Sequence, residues 1–539
     1  MKKLFILITC FFVMQVHAQT FQKVKDINPT GDANPTNYTI FNGELFFRAD
    51  DGTTGVELWK TDGTAAGTTI LQDIYPTAAA SFPSYFIEYN NKLMFVARDG
   101  VTGYEIWSTD GTTAGTQLLK DINSTNAMGS DPRFFTEYNN NVYFRADNDV
   151  DGNEFWMTDG TAAGTQLVKD IHPAGNSFLS YLISFNGNLL MAANDNSSGN
   201  ELWISDGTTS GTQLLKDINP APFNSHSNPS QLTELNGKLY FRAKTDSLGI
   251  ELWSTDGTAT GTQLVKDINP VGNSQPANFY AFNNRLYFSA NDGVNGKEVW
   301  VTDGTAAGTT LLKDINPNGS SDPNYFQEYN GKLYFAADDG VNGSELWVSD
   351  GTSAGTAIFK DINPNGSSFS SFFSDLPSYF VEYHGQLYFN ADAGNGDGVS
   401  LWQTDGTLVG TVSIAPPSSA AVDALKNSEE YVVYDGSLYF SANYDSDETE
   451  LWKLTTPALA IHDIYKLDFS IYPNPTNGIL QLKSKDRIRN ISVFDVAGRE
   501  VKGKTIGRNS IDINDLPSGS YFIQIATRQG IGTKVFIKK

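Results

Sequence analysis

Three features of the 539-residue chain predict an all-β fold: a β-propeller of eight to nine four-stranded blades followed by a small Ig-like β-sandwich. Nine tryptophans, at 59, 107, 156, 203, 253, 300, 347, 402 and 452, recur 47 to 55 residues apart, and none lies outside the series. Each unit holds short apolar runs separated by Asn-Gly and Asp-Gly turns, the pattern of hairpins and not of helices. After Trp452 the repeat stops and the composition changes. A fixed period of this length marks stacked supersecondary units.

Residues 1–18 carry the features of an export signal. Lys2 and Lys3 precede an apolar stretch from Leu4 to Met14, and Val16-His17-Ala18 forms an approximate small-x-small cleavage site, so mature protein is expected to start at Gln19. The stretch is too short for a stable transmembrane anchor, and no transmembrane segment is expected. Cys10, the only cysteine, lies inside this segment. The mature chain is therefore expected to contain no disulfide, thiolate metal site or cysteine nucleophile.

Charge is divided between two regions. Residues 19–462 hold 22 basic and 54 acidic residues, a formal −32, whereas residues 463–539 hold 13 and 7, a formal +6. So acidic a body repels nucleic acid and anionic lipid, and neither is an expected partner.

One unit, 278–315, predicts four strands. "NFYAF" and "RLYFSA" flank an Asn-Asn turn, which is Asn-Gly elsewhere; "NDGVNG" leads into "KEVWVT", and "DGTAAGT" into "TLLKDI". Successive residues Leu286, Tyr287 and Phe288 point to opposite faces yet all are apolar, so the sheet is covered on both sides. Radial stacking supplies a neighbour on each side. Each tryptophan is expected to wedge between blades, and Asp256-Gly257-Thr258 to be turn chemistry, with the aspartate bonding its own turn. The opening "QKVKDI" (22–27) matches a fourth strand and the closing "TELWKLT" (449–455) a third, so the opening strand is expected to complete the last sheet.

Glu-Leu-Trp-x-x-Asp-Gly-Thr resembles the bacterial ELWxxDGT repeat family over residues 22–455, which implies an exported surface protein without an established common activity. Beyond a linker at 456–466, residues 467–539 resemble the type A carboxyl-terminal sorting domain of the type IX secretion system. Tyr472-Pro473-Asn474-Pro475, Asn477-Gly478, Val496-Ala497-Gly498-Arg499, Leu516-Pro517-Ser518-Gly519-Ser520-Tyr521 and the closing Lys-Val-Phe-Ile-Lys-Lys carry that likeness. It implies passage through the periplasm and across the outer membrane by the type IX machinery. The cargo is then either attached to surface lipopolysaccharide or released.

No catalytic signature appears. His17 and His462 fall outside the propeller; His172, His226 and His384 occupy different positions without metal spacing, and no Gly-x-Ser-x-Gly elbow or phosphate loop is present. The sharpest departure from the repeat is Asp147-Asn148-Asp149-Val150-Asp151-Gly152-Asn153-Glu154. Asp147, Asp149 and Asp151 have the alternation of a calcium loop, and Glu154 is the candidate distal ligand; the competing reading is an acidic hairpin turn. Asn443, Asp445 and Asp447 form a weaker variant. The expected function is a secreted or surface-held, non-enzymatic propeller that binds polysaccharide or a protein partner. The alternatives are a glycan-active enzyme with carboxylates at the axis, and a passive surface-layer component.

Overall fold

Turn chemistry sets the shape of one blade. In the computed structural model, β1 (Thr20–Lys25) pairs at the far end of the chain, while β2 (Thr36–Phe41), β3 (Glu44–Asp50), β4 (Val56–Thr61) and β5 (Thr69–Gln72) pair in order as the first antiparallel blade. Asn42 and Gly43 both take positive φ, 49° and 77°, as a two-residue hairpin of matching twist demands. After β4, Asp62 Oδ1 accepts the Thr64 N–H at 2.9 Å and the Thr64 hydroxyl at 2.7 Å, closing the Asp-Gly-Thr turn on itself. A Cβ on Gly67 would stand 2.0 Å from Asp62 Oδ1, so the second glycine of the stamp is obligatory.

Nine such four-stranded sheets occur among the described residues of Thr20–Thr455, and no helix does. The described residues are 19–220, 225–369, 380–416, 424–425, 430–445, 448–456 and 469–539, the last without 475, 477, 485–487, 489, 495–499, 502–503, 508–509 and 527–530. The expected export signal and nearly all of the expected linker lie outside them. Innermost strands lie side by side in sequence order, and β2 also lies beside Val432–Tyr434, the innermost strand of the ninth blade.

Both faces of each sheet are buried, as the apolar runs require. Leu45, Phe46 and Phe47 are each fully buried. Trp107 of blade two packs with Phe41, Phe46 and Leu58 of blade one, and Trp156 of blade three with Met94 and Ile106 of blade two. Trp59 closes the series against Val24, Tyr439 and Leu451. Every indole N–H is buried without a protein acceptor, so apolar packing holds these rings, joined at Trp59, Trp300 and Trp402 by a lysine ammonium 5.6, 5.8 and 5.4 Å from the ring centroid. Truncating one to alanine would cost roughly 3–5 kcal/mol.

Two polar contacts tie consecutive blades. The first is a clasp made by the glutamate two residues before each tryptophan. Glu57 is fully buried and accepts the N–H of Ile74 (2.9 Å), the N–H of Ser81 (3.0 Å) and the hydroxyl of Ser81 (2.6 Å). It thereby holds both ends of the crossing that leads to blade two. Glu105, Glu201, Glu298 and Glu345 repeat all three contacts, and Glu154 and Glu251 repeat the two backbone ones. The second is a lysine latch: Lys120 Nζ donates to the Thr165 carbonyl of the next blade at 2.6 Å, and Lys266 to that of Thr309 at 2.7 Å.

Closure uses the same parts. β1 pairs antiparallel with Glu450–Thr455 and supplies the ninth blade's outer strand. Glu450 accepts the N–H groups of Ile27 and Asn28 at 2.8 and 2.9 Å, and Lys25 Nζ donates to the Thr68 carbonyl at 2.7 Å. Of the eight or nine blades that the sequence allowed, the structure has nine.

The carboxyl-terminal unit has its own core. Strands Phe469–Tyr472, Ile479–Ser484, Ser510–Asp512 and Lys504–Gly507 form one sheet, in that order. Glu500–Val501, Asn490–Phe494, Gly519–Ala526 and Ile531–Lys538 form the other. Leu480, Val493, Ile511, Ile523, Ile525 and Phe536 are buried together. The motif residues act locally: Asn474 Oδ1 accepts the Ile537 N–H at 2.9 Å, and the Tyr521 hydroxyl donates to the Pro517 carbonyl at 2.9 Å. Val496 to Arg499, Pro475 and Asn477 lie outside the described residues.

Clasp and closure make separate predictions. Burial pushes the carboxyls of Glu57, Glu105, Glu154, Glu201 and Glu450 up to about 7 from 4.5. Between those values the folded chain holds more protons than the unfolded one, so stability falls as pH rises through the window and levels off above it. Hydroxyl and N–H donation from Thr64 holds Asp62 below its ordinary 3.8, and that contribution is lost as pH falls through the acid range. The melting temperature is therefore expected to peak near pH 5 and to decline toward about pH 7.5. Glu105→Gln is expected to flatten the decline; thermal melts showing stability rising across the window would contradict it. Deleting residues 20–27 leaves Glu450–Thr455 as an unpaired edge. The expected result is loss of the single cooperative transition with concentration-dependent association in light scattering, and a deletion that melts like the parent would show closure to be dispensable.

Candidate functional site

The two rims of the ring differ. Turns joining first to second and third to fourth strands share one rim, and there the repeat is nearly invariant. The opposite rim carries the hairpins joining second to third strands and the crossings between blades, and there the repeat varies. A cavity of about 920 Å³ opens at the inner edge of this variable rim. Blades one, two, three and nine supply its walls, including Tyr38, Arg48, Tyr85, Asp131, Arg133 and Glu430. Its volume is that of a small-molecule or glycan-residue site.

The local backbone explains how aromatic side chains reach this mouth. The crossings into blades one to seven enter the first strand through a segment X-Pro-y-Z, except at Phe178-Leu179-Ser180-Tyr181, where leucine stands for proline. The segment into blade nine has no proline there, and Leu376-Pro377-Ser378-Tyr379 before blade eight lies outside the described residues. Both X and Z take the left-handed conformation. X is Asn34, Phe82, Asp131, Phe178, Asn228, Gln275 and Asp322, with φ between 44° and 50°. Z is Asn37, Tyr85, Phe134, Tyr181, Gln231, Asn278 and Tyr325, with φ between 53° and 62°. Asparagine and aspartate tolerate this conformation; a bulky aromatic is an outlier there, at a cost on the order of 1 kcal/mol or more. Blades two and four place aromatics at both positions, and blades three and seven at Z.

Burial does not offset that cost. Phe82 is 36% exposed, Tyr85 47%, Phe178 58% and Tyr181 40%. Guanidinium groups lie over the rings. Arg98 is 5.0 Å from the Phe82 centroid and 5.5 Å from that of Tyr104; Arg133 is 5.7 Å from Tyr85, and Arg145 5.2 Å from Phe134. Phe134 and Tyr181 are 6.4 Å apart, which carries the surface from blade three to blade four. Asp131 receives Arg133 Nε at 3.0 Å and lies 3.8 Å from Arg145 Nη2, while Glu430 accepts the Tyr38 N–H at 3.2 Å. The result is a stacked aromatic and guanidinium surface along one side of the axis.

The candidate calcium ligands are not brought together. Loop 147–152 has the same length as 50–55 in blade one, with Asp149 at φ 60° where blade one has Gly52. Asp147 Oδ1 accepts the Asp149 N–H at 2.7 Å, Asp149 Oδ2 accepts the Thr125 hydroxyl at 3.1 Å, and Asp151 Oδ2 accepts Asn148 Nδ2 at 2.8 Å. Glu154 lies inside as a clasp, receiving Ile171 N–H at 2.6 Å and Ser177 N–H at 2.9 Å. The repeat's need for a buried carboxylate at that position overrides the loop motif. Among the described residues no three acidic, histidine or cysteine side chains gather as a metal set. In the weaker variant Asp445 pairs with Lys23 at 3.0 Å, and Asp447 lies outside the described residues.

The histidines stay apart. His172 and His226 lie in successive crossings, His226 Nδ1 accepting the Asn200 N–H at 2.8 Å, and His384 takes the left-handed hairpin position that asparagine holds elsewhere. Ser400, the one break in the glutamate series, is matched by a second change. Leu425 N–H bonds the Val399 carbonyl, and Asn443 N–H that of Ala424, as Phe82 bonds Val56 and Arg98 bonds Ser81 at the crossing from blade one to blade two. Ala424 thus stands where Ser81 does, so the acceptor and hydroxyl donor of the clasp are lost together. Sequence reasoning missed Tyr85, Phe134, Tyr181 and Asp131 altogether. The signal available was the changing residue three after X in X-Pro-y-Z, whose significance depends on its φ.

Comparison with known proteins bears on the tail and on little else. Residues 470–539 match the family model of the secretion system C-terminal sorting domain. That type IX sorting tail marks the chain as exported, to the cell surface or the medium, and implies contact with the type IX secretion machinery. Among the described residues no helix is long and apolar enough to cross a membrane. No curated protein matches the chain. Among solved structures, it is similar to the β-propeller domain of the Trilobed protease from Pyrococcus furiosus (10% identity, TM-score 0.31, covering 69% of this chain and 94% of that one). It is also similar to a puromycin-hydrolyzing peptidase of Mycobacterium tuberculosis (11%, 0.36, 77% and 59%) and to puromycin hydrolase (11%, 0.32, 68% and 59%). The chain spans about 60% of the length of the latter two, and at these scores the likenesses bear on neither activity nor ligand.

Proposed function

We propose that this exported protein is a non-enzymatic binding propeller, and that its axial mouth over blades one to four holds a glycan. One observation carries the proposal: exposed aromatic residues occupy both strained left-handed positions of blades two and four, at which blades one, five and six use only asparagine or glutamine. Residues kept at a conformational cost, without burial in return, point to a ligand outside the fold. Sugar rings present apolar faces that stack on aromatic rings, and their hydroxyls bond to carboxylate and guanidinium groups such as Asp131 and Arg133. The sorting tail fits this reading, since it delivers the propeller to where polysaccharide is found, whether anchored to lipopolysaccharide or released.

The axial carboxylates give less support to glycan hydrolysis. Asp131 is engaged by two guanidinium groups and Glu430 by a backbone N–H, so each has a positioning partner. A passive surface-layer role leaves the exposed aromatics unexplained.

The sister blades supply the test. Tyr85→Asn and Tyr181→Asn install the residue that blades one and six carry at Z. These variants are expected to melt at or above the parent temperature, because asparagine suits the left-handed conformation, while retention on a glycan array drops about tenfold or more. Array binding that survives both substitutions would place the ligand elsewhere. Release of reducing sugar from any bound glycan would replace the binding reading with catalysis.

A further inference from the structure

The charge pattern narrows the ligand, on the footing of the binding site just proposed. Residues 19–455 contain six arginines, at 48, 98, 133, 145, 242 and 285. Four of them, Arg48, Arg98, Arg133 and Arg145, gather around this one mouth in a body of formal charge −32. Among the described residues neither Arg48 nor Arg98 has a carboxylate partner. Arg48 Nε donates to the Thr36 hydroxyl at 2.9 Å, and Arg98 Nε to the Ala80 carbonyl at 2.8 Å. Arg133 and Arg145 share the single carboxylate Asp131, and Arg145 Nε is buried without an acceptor. Counting Glu430, four cations face two anions.

Register shows that these arginines are not parts of the stamp. Arg48 stands opposite Thr36, and Arg145 opposite Arg133. At the same position blade five also carries an arginine, Arg242, whose Nε donates to Ser230 Oγ at 2.8 Å. Blades two, four, six, seven, eight and nine carry Val96, Ala192, Ser289, Ala336, Asn390 and Ser441, so the sheet has no need of a guanidinium there. Guanidinium groups recognise planar oxyanions through paired N–H donors, and here they alternate with exposed aromatic faces along a path over three blades.

We infer that the mouth takes an acidic polysaccharide, a chain of pyranose rings bearing carboxylate or sulfate groups, with the rings stacked on Phe82, Tyr85 and Tyr181 and the acid groups on Arg48 and Arg133, which line the cavity. Neutral glycans lack the groups that these cations are placed to meet.

Affinity electrophoresis of the full chain tests this, with polygalacturonate, dextran sulfate, unmodified dextran, amylose and poly-glutamate in the gel. The expected result is retardation by polygalacturonate or dextran sulfate, which also separates carboxylate from sulfate recognition, and none by dextran or amylose. Retardation is expected to weaken with added salt. Arg48→Ser and Arg133→Ala install residues that sister blades carry, Ser289 and Ala277 of blade six, and each is expected to lower affinity roughly tenfold with the melting temperature kept. Arg285→Ala, on the opposite rim, is expected to change nothing. Equal retardation by neutral glycans would overturn the acidic specificity and leave glycan binding standing. Equal retardation by poly-glutamate, without loss in Tyr85→Asn, would reduce the site to a polyanion patch. Retardation by no polysaccharide would overturn both the specificity and the binding function.

Discussion

The buried clasp glutamate is the interaction on which the ring depends. A propeller blade is a sheet whose chain must leave the outer edge and return to the axis, and that crossing exposes backbone donors that no strand partner can meet. In eight of the nine blades one carboxylate meets them: Glu57 holds Ile74 and Ser81, and Glu450 holds Ile27 and Asn28 across the closure. Desolvation outweighs these bonds in setting the proton affinity of the group. The carboxyl is kept in spite of its burial cost because nothing shorter reaches both ends of the crossing. Blade eight confirms the logic by exception, since where the glutamate becomes Ser400 the serine it would have received becomes Ala424.

Wedge, clasp and latch are spaced so that each blade is complete only with its neighbour. The tryptophan packs backward on the preceding blade, while the lysine reaches forward to the next. A ring built this way has no self-sufficient unit, and β1 must cross from the start of the chain to its end before the first and last blades are satisfied. The same dependence frees the variable rim. Because the invariant rim and the inter-blade faces hold the structure, residues beside the axis on the other rim can change without loss of packing.

The sequence made the period legible, and with it the wedge, the hairpins and the closure, because those features are a residue type at a fixed spacing. Asp256-Gly257-Thr258 is as self-contained in space as it is in the alphabet: Asp256 Oδ1 accepts the Thr258 hydroxyl at 2.7 Å. The axial surface was not legible, for a physical reason. Tyr85 looks like one more strand aromatic, and only its φ of 55° and its exposure separate it from Phe86 beside it, which packs on the buried Phe95. Loop 147–152 misled in the opposite direction. Its acidic alternation resembles a ligand set, but Asp149 stands where other blades have glycine, and Glu154 belongs to the clasp. A motif inside a repeat has to be compared first with the same position in its sister units.

That comparison also separates stability from function within one chain. Seven crossings share the two left-handed positions, so asparagine in blades one and six serves as an internal reference for what the backbone prefers there. Against it, Phe82, Tyr85, Phe134, Phe178 and Tyr181 are departures on consecutive blades, as are Arg48, Arg98, Arg133 and Arg145, while elsewhere among the described residues Tyr325 of blade seven and Arg242 of blade five depart singly. Drift in a repeat would scatter such departures around the ring and would not select residues costly to the backbone. Two independent sets of departures, one aromatic and one cationic, converge on one side of one mouth, whereas blades five and six hold only amides at both left-handed positions. Symmetry holds the propeller together, and the local breaking of that symmetry marks the surface on which a ligand is to be sought.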